Sequence, residues 1–220
     1  MLVSLMEWSW QRSDWPEFTW DAAAVSAMES AFLQDSGELV GAFAHLDEGG
    51  KEALRIELLS DEALQSSRIE GEVLDRESVQ SSLRKHFGIA VDRQRAVGPK
   101  ERGMVDLLAD AVQSFADPLS REMLFRWHRN LMQGQLEEDS LGCYRSGTEP
   151  MQIVSGDPFD PEIHFEAPPS ARVGREMARF VRRFNGSAPT SERIPVPALT
   201  RSAIAHLYFE TIHPFSDGNG

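Results

Sequence analysis

The sequence predicts an all-α fold that contains one short β-hairpin. Over most of the chain, apolar residues recur at every third or fourth position, which is the spacing of an amphipathic helix. Between Leu141 and Pro169 this spacing is lost, and a β-favouring run lies between turn-forming Pro and Gly residues. With 41% apolar residues among 220, the chain is able to bury a core of this kind.

Residues 1–60 are predicted to form a Trp-rich helical region. Four tryptophans lie in an irregular stretch from Trp8 to Trp20. We expect their rings to anchor that stretch to the body of the protein, because each ring buries about 150–250 Å². Stacking on a ligand is the alternative. Asp21 is expected to cap a helix from Ala22 to about Leu46, and Gly37 and Gly41 leave open whether this is one helix or two.

Further helices are predicted along the rest of the chain. We expect Glu48-Gly49-Gly50 to form a turn, and Ser60-Asp61 to separate two helices by capping the second. Gly71 and Gly88 are expected to end helices, because glycine favours the conformation that follows a helix end. The predicted spans are 51–59, 62–70, 76–86, 101–115, 120–132 and 171–184, followed by a helix that Pro195 or Pro197 opens.

The non-helical segment is expected to hold the hairpin. Met151 to Val154 and Ile163 to Phe165 are two short runs that favour β-structure. The turn-forming residues Ser155 to Pro158 follow the first run. The sequence therefore predicts that the two runs pair as antiparallel strands.

Charge and cysteine usage exclude several classes of protein. The formal net charge is −13, from 22 basic and 35 acidic residues, so no broad basic face for nucleic acid or anionic lipid is expected. A local pocket of Arg stays open. The single Cys143 excludes an internal disulfide and a multi-Cys zinc site. No apolar run is long enough to span a membrane and no signal peptide is evident, so we expect a cytoplasmic protein.

The last eight residues, His213 to Gly220, bring three chemical functions together. Pro214 disfavours helical dihedrals at His213, so the last helix is expected to end with that imidazole at its terminus. The run Gly218-Asn219-Gly220 tolerates positive φ, so its backbone N–H groups are expected to form an anion-binding concavity. Asp217 is a carboxylate of the kind that holds Mg²⁺ beside bound phosphates. Together these features favour a protein that moves a phosphorus-containing group.

Each of these features has a simpler explanation when it is taken alone. The histidine is then a helix cap, Asp217-Gly218 is an ordinary turn, and Asn219-Gly220 is a common pair in type I′ turns. The apolar Phe215, inside a polar loop, is expected to pin that loop to the core.

The order of these residues, HPFSDGNG, resembles the signature of the Fic family, HPF-x-[DE]-GNGR. The resemblance implies a Fic-type helical core with a hairpin flap, which binds ATP with Mg²⁺ and transfers AMP to a Ser, Thr or Tyr hydroxyl of a target protein. By position, His213 would be the general base and contact the nucleotide, and Asp217 would hold Mg²⁺. The backbone of Gly218, Asn219 and Gly220 would cradle the phosphates. Doc-like relatives, which phosphorylate their targets, carry a Lys in this loop.

Two segments upstream also resemble parts of that family. Tyr144 to Val154, with Ala167 to Pro169, resembles the Fic flap and the segment after it. In the family the flap holds the target backbone by strand addition, which implies that role for Gln152, Ile153 and Val154. An ordinary surface hairpin is the alternative.

Ser66 to Gly71 resembles the inhibitory helix of self-restrained Fic proteins, [ST]-x-x-x-E-[GN], with Ser66, Glu70 and Gly71 at its three defined positions. Ser66 and Glu70 lie one turn apart on a helix face. The resemblance implies that Glu70 contacts the nucleotide site by pairing with an Arg needed for the γ-phosphate, so that ATP binds unproductively. A solvated helix end with a Gly stop is the alternative. The Trp-rich start also resembles the uncharacterised domain that often precedes Fic cores.

The family signature continues past Gly220 with an Arg and a further helix. We therefore expect a fragment, with an inactive remnant as the alternative, in which residues 61–220 hold the inhibitory helix and a partial Fic core. The predicted function of the intact protein is protein adenylyltransferase, inhibited by Glu70. An enzyme that also removes AMP and a catalytically idle interaction module are the alternatives. The expected partner is a target protein with an acceptor hydroxyl, and self-modification and a homodimer are left open.

Overall fold

The structure is a computed structural model, which describes residues 7–89, 97–132, 134–157, 159–189 and 196–219. These residues form seven α-helices, two short 3₁₀ turns and one antiparallel hairpin, so the predicted all-α class with a hairpin is confirmed. The helices are α1 (Ala22–Ala44), α2 (Glu48–Ile69), α3 (Arg76–His86), α4 (Pro99–Gln113), α5 (Arg121–Met132), α6 (Ser170–Gly186) and α7 (Ala198–Ile212). The strands are β1 (Gln152–Asp157) and β2 (Asp160–Glu166), and the 3₁₀ turns are Ser9–Gln11 and Glu138–Ser140. Of the described helices, none has the length and apolar content that a membrane crossing requires.

The chain divides into two compact units. The first unit joins the residues up to Phe32 with the segment from Tyr144 to Asn219, and it therefore contains the hairpin, α6 and α7. The second unit runs from Leu33 to Cys143 and contains α2 to α5. The division into residues 1–60 and 61–220 stays a prediction.

The second unit is built on a helical core in which α2 has a central place. Its buried apolar residues come from α2, α3, α4 and the connection after α2. Capping sets the ends of α3 as predicted, because the Asp75 side chain accepts a hydrogen bond from the Ser78 N–H at 2.8 Å. Gly88, in the left-handed region at φ 74°, follows the end of that helix. The buried core residues are Ile56, Ala63, Leu74, Val79, Leu83 and Val105.

One continuous α2 replaces the turn and the two helices that the sequence predicted. Asp47 caps it, since its carboxylate accepts from the Gly50 N–H at 2.7 Å, so the predicted turn at Glu48-Gly49-Gly50 is wrong. The predicted break at Ser60-Asp61 is also wrong. Ser60 is buried, and its hydroxyl donates to the Ile56 carbonyl one turn earlier at 2.6 Å. A serine that bonds back in this way sits inside a helix instead of starting one.

Tryptophans anchor the N-terminal arm, residues 8–18, onto the first unit. The Trp10 indole is buried and donates to the Glu166 carbonyl at 2.6 Å. Trp15 packs edge-on against Tyr208, with ring centroids 5.0 Å apart. The predicted anchoring role is therefore confirmed for these two rings. Trp20 is 42% exposed and is not an anchor of this kind.

A carboxylate from α1 caps the N-terminus of α7, where Pro197 offers no side-chain cap. Glu29 accepts hydrogen bonds from the Thr200 N–H and hydroxyl, both at 2.8 Å, and from the Leu199 N–H at 3.2 Å. Desolvation acts to raise the pKa of Glu29, but these hydrogen bonds hold it below its usual value. The start of α7 is thereby fixed in the first unit, and α7 leads directly into the candidate site.

Candidate active site

The loop that follows α7 begins with a histidine in an unusual conformation. His213 caps the helix at φ 49° and ψ 65°, and its N–H donates to the Phe209 carbonyl at 2.9 Å. Among the described residues it is the one non-glycine residue with positive φ. Such a conformation costs a side-chain-bearing residue about 1–2 kcal/mol. The predicted end of the helix at His213 is confirmed, and the strain marks this position for function.

Phe215 and Asn219 close the loop. The Phe215 ring is buried, with its centroid 6.2 Å from that of Phe209 and 5.9 Å from that of Tyr144, so the predicted pinning role is confirmed. The Asn219 side chain bridges the loop in both directions. Its Oδ1 accepts from the Phe215 N–H at 2.8 Å, and its Nδ2 donates to the Phe215 carbonyl at 3.1 Å. Asn219 therefore holds the loop with its side chain, a role that the sequence reasoning missed.

Asp217 and Gly218 form the outer turn of the loop. Gly218 has φ 70°, which favours glycine at this position. Its N–H donates to Asp217 Oδ1 at 2.8 Å, and the Asp217 side chain is exposed. The structure thus brings together His213, Asp217, Gly218 and Asn219 in one loop, as the sequence predicted. Gly220 lies outside the described residues.

Arg145 holds the start of the loop and was not predicted to do so. Its Nε donates to the His213 carbonyl at 2.6 Å, its Nη2 donates to the Ile212 carbonyl at 3.2 Å, and its backbone N–H donates to the Pro214 carbonyl at 2.9 Å. The same guanidinium donates to the Pro168 carbonyl and, at 3.0 Å, to the Ser170 hydroxyl. Burial lowers the pKa of Arg145. Arg145 therefore holds three consecutive carbonyls of the helix end and loop, two through its side chain and one through its backbone, and its side chain also binds Pro168 and the first residue of α6.

The electrostatic surroundings of His213 favour its neutral form. Burial is the main cause that lowers the pKa of its imidazole, the positive charge of Arg145 acts in the same direction, and Asp217 opposes them. Its Nδ1 also lies 3.9 Å from Glu210 Oε2, and its side chain is 22% exposed. An imidazole that is neutral near pH 7 and still reached by solvent is able to accept a proton from a bound hydroxyl.

The donor set of the loop fits a magnesium ion that is shared with a nucleotide. Among the residues that the structure describes, no three His, Cys, Asp or Glu side chains group as a protein-only metal cage. Mg²⁺ takes one or two carboxylates and completes its shell with phosphate oxygens and water. The exposed Asp217 carboxylate, beside the Gly218 N–H, fits that requirement.

Comparison with known proteins identifies the segment that carries this loop. Residues 118–220 match the Fic/DOC family. The chain contains a Fic domain. Residues 8–89 match a domain of unknown function, DUF4172. A comparison with curated proteins gives no significant match.

Solved structures of Fic proteins share the fold of the chain. A Fic family protein from Desulfovibrio desulfuricans G20 is 26% identical with a TM-score of 0.55, over 93% of this chain and 55% of that protein. Fic-1 from C. elegans is 22% identical with a TM-score of 0.57, over 90% of this chain and 56% of that one. A Fic domain containing signaling protein from Bacteroides thetaiotaomicron VPI-5482 is 17% identical with a TM-score of 0.55, over 81% and 64% of the two chains. The chain thus spans just over half the length of the first two.

The candidate inhibitory segment lies at the end of α2, in the second unit. The Glu70 N–H donates to the Ser66 carbonyl at 3.4 Å, so the two residues are one turn apart as predicted. Glu70 is the exposed C-cap, and Gly71 follows in the left-handed region at φ 77°, which confirms the predicted helix stop. The Ser66 hydroxyl donates to Glu62 Oε1 at 2.9 Å. The inhibitory role of Ser66, Glu70 and Gly71 stays a prediction.

The predicted flap of the Fic domain is confirmed as a hairpin. Gln152 pairs with Glu166, Ile153 with Phe165 and Val154 with Ile163, and the register shifts between Ile153 and Val154. The Gln152 side chain donates to Glu166 Oε2 at 2.7 Å. Ile153 and Val154 are 54% and 48% exposed, which leaves apolar surface on β1. Target binding by Gln152, Ile153 and Val154 stays a prediction.

Proposed function

We propose that this Fic protein is a protein adenylyltransferase that transfers AMP from ATP to a Ser, Thr or Tyr hydroxyl of a target protein in the cytoplasm. The observation that carries the proposal is the strained, half-buried His213, whose pKa is lowered and whose loop also holds the Asp217-Gly218 turn. A base, a carboxylate for Mg²⁺ and a turn that favours anions are the parts that transfer of a phosphorus-containing group requires.

His213 is proposed to remove the proton from the acceptor hydroxyl. The hydroxyl oxygen then forms a bond to the α-phosphorus of ATP, the bond from that phosphorus to the bridging oxygen breaks, and pyrophosphate leaves. The proton stays on the imidazole until solvent takes it. Because burial and Arg145 favour the neutral imidazole, the base form is present at neutral pH.

The loop backbone at Gly218, Asn219 and Gly220 is proposed to bind the nucleotide phosphates, with Asp217 as the Mg²⁺ ligand. When bound, Mg²⁺ supplies positive charge to the phosphate oxygens. The Gly218 N–H donates to the Asp217 carboxylate in the structure. We expect ATP binding to exchange that bond for one to a phosphate oxygen, which releases the carboxylate. The Asn219 side chain keeps the turn closed meanwhile, since its bonds run to Phe215.

Glu70 is proposed to restrain the enzyme. The resemblance of Ser66 to Gly71 to the inhibitory pattern supports this role, and so does the electrostatics of α2. A carboxylate at a helix C-terminus is disfavoured by the helix dipole. Glu70 occupies that position, exposed and followed by the left-handed Gly71, so helix stability gives no reason for its presence.

Label transfer in the full-length protein tests the proposal. The protein is incubated with Mg²⁺ and ATP labelled at the α-phosphate, and labelling of the protein itself and of added cell-lysate proteins is measured. ATP labelled at the γ-phosphate is the matched control, because it labels targets if the phosphate is transferred instead. We expect α-label transfer to fall at least about a hundredfold in His213→Ala. We expect it to rise in Glu70→Gly and to stay unchanged in Glu72→Gly, the neighbouring acid.

Four results would contradict parts of this proposal. Transfer of the γ-label would show a kinase, and equal labelling in Glu70→Gly and wild type would refute inhibition by Glu70. Release of AMP from a pre-labelled target, lost in Glu70→Gly, would favour an enzyme that removes AMP. Binding of Mg²⁺·ATP by calorimetry without transfer by any variant would favour an idle regulatory module.

A further inference from the structure

Helix α6 carries an unusual concentration of positive charge. Five of its 17 residues are Arg, in a chain whose formal net charge is −13. Several of them are three or four positions apart, where like charges destabilise a helix. Its first turn holds no acidic residue, and cations there oppose the helix dipole. We call this set the arginine face: Arg172, Arg175, Arg179, Arg182 and Arg183.

A single buried carboxylate organises part of the arginine face. Glu176 has no solvent exposure, and its carboxylate oxygens lie 3.5 Å from Arg172 Nη2, 3.5 Å from Arg175 Nη2 and 3.3 Å from Arg179 Nη1. One carboxylate neutralises one of three guanidinium groups. The remaining positive charge lies on these arginine side chains, which are 36–66% exposed. The buried Glu176 therefore holds the three guanidinium groups near one another and leaves them with a net positive charge.

Aromatic rings and backbone of the N-terminal arm restrain the guanidinium groups further. Arg172 lies over the Trp10 ring at 4.9 Å from its centroid, and Arg179 donates to the Trp15 carbonyl at 3.2 Å. Arg183 pairs with Glu17 at 3.1 Å. Side chains that are already held in place lose less conformational entropy when a ligand binds. The arginine face is thus pre-organised for an anionic ligand.

A cleft opens at the C-terminal half of the arginine face. Its volume is about 870 Å³ including the open solvent in its mouth, and Pro16, Glu17 and Gly186 line it together with three of the arginines. The Arg182 side chain is exposed there, and its guanidinium makes no hydrogen bond or ion pair with any residue that the structure describes. One guanidinium is therefore ready to form a bidentate pair with an incoming carboxylate.

We propose that the arginine face is a docking surface for an acidic, extended segment of a partner protein. From Arg172 to Arg183 the helix rises about 16 Å, which corresponds to about five residues of extended chain. Acidic side chains at alternate positions of such a segment point to the same side, so three of them match this length. The acidic balance of the whole chain disfavours nucleic acid, whose long polyanion would be repelled beyond these five arginines.

Fluorescence anisotropy with a defined probe tests the proposal. The probe is a fluorescein-labelled peptide of about seven residues with glutamate at every second position, and its glutamine counterpart is the control peptide. The wild-type chain is expected to bind the glutamate peptide at least about tenfold more tightly, with an affinity that falls as salt rises. The double variant Arg175→Glu/Arg182→Glu is expected to lose this preference. The matched charge change on α3, Arg84→Glu/Lys85→Glu, is expected to keep it.

Every outcome of this test decides the proposal. Equal binding of the two peptides, unchanged binding by the Arg175/Arg182 variant, or tighter binding of a short single-stranded DNA would overturn it. Far-ultraviolet circular dichroism confirms that the variant is folded, and Arg182→Gln alone gives a milder change with an expected intermediate loss. The binding measurement contains no ATP. Its result therefore tests peptide binding whether or not the protein transfers AMP.

Discussion

Replacement of Arg145 by methionine tests whether one side chain holds the catalytic loop in place. Methionine keeps most of the apolar stem but removes the guanidinium hydrogen bonds to the carbonyls of His213, Ile212 and Pro168 and to the Ser170 hydroxyl. A hydrogen bond to a charged group contributes about 1.5–3 kcal/mol, and such bonds are not additive. Because Arg145 is buried, we expect unfolding of the first unit to become about 4 kcal/mol easier.

Urea unfolding followed by tryptophan fluorescence measures this loss. Four of the five tryptophans lie between Trp8 and Trp20, in the first unit, so the signal reports mainly on that unit. With a slope near 2 kcal/mol/M, a loss of about 4 kcal/mol lowers the midpoint by about 2 M. The exposed Arg84→Met on α3 is the control and should shift it by less than about 0.3 M. A midpoint for Arg145→Met as close to wild type as that of the control would refute the reasoning.

Three further predictions concern the loop. Asn219→Ala removes two neutral hydrogen bonds to Phe215, so we expect calorimetry on the full-length protein to show Mg²⁺·ATP binding weakened about tenfold; an unchanged affinity would exclude the closing role. Gly218→Ala forces a side chain into φ 70°, so we expect the free energy of unfolding of the first unit to fall by about 1–2 kcal/mol. Its urea midpoint should fall accordingly, and no shift would mean that the turn relaxes. The unfolded state binds more protons at His213 than the folded one, because folding lowers that pKa below 6.5. Urea midpoints measured across pH should therefore fall as pH drops through 6.5 towards the folded-state pKa, and less so in His213→Ala.

Local chemistry was sufficient to predict most helix ends and the loop. Asp75 and Gly71 act as the cap and the stop that their residue types favour, because these interactions involve residues within one turn. The Pro that follows His213 placed the imidazole at the end of α7 for the same reason. Local reasoning failed where a residue type that often caps helices lies inside a helix instead. Ser60 has the composition of a cap, but burial in the core of the second unit decided its role.

The contacts that fix the candidate site are distant in sequence, and this is why they were missed. Arg145 is separated by 68 residues from the carbonyl that it binds at His213. No spacing rule links such positions, since only the folded chain brings them together. The side-chain role of Asn219 was hidden for another reason. Asn-Gly is a common turn pair, and an amide that donates and accepts within the same loop leaves no separate signal in the sequence.

The pairing of Glu29 with Thr200 has a consequence for biosynthesis. The partners are separated by 171 positions, so a ribosome must translate past residue 200 before this carboxylate meets the amides that it caps. Leu33 to Cys143 emerges in the meantime and has its own core to assemble. Nascent chains halted before residue 200 therefore also lack Tyr208, against which the Trp15 ring packs, and that indole ring is then available to chaperones until translation resumes.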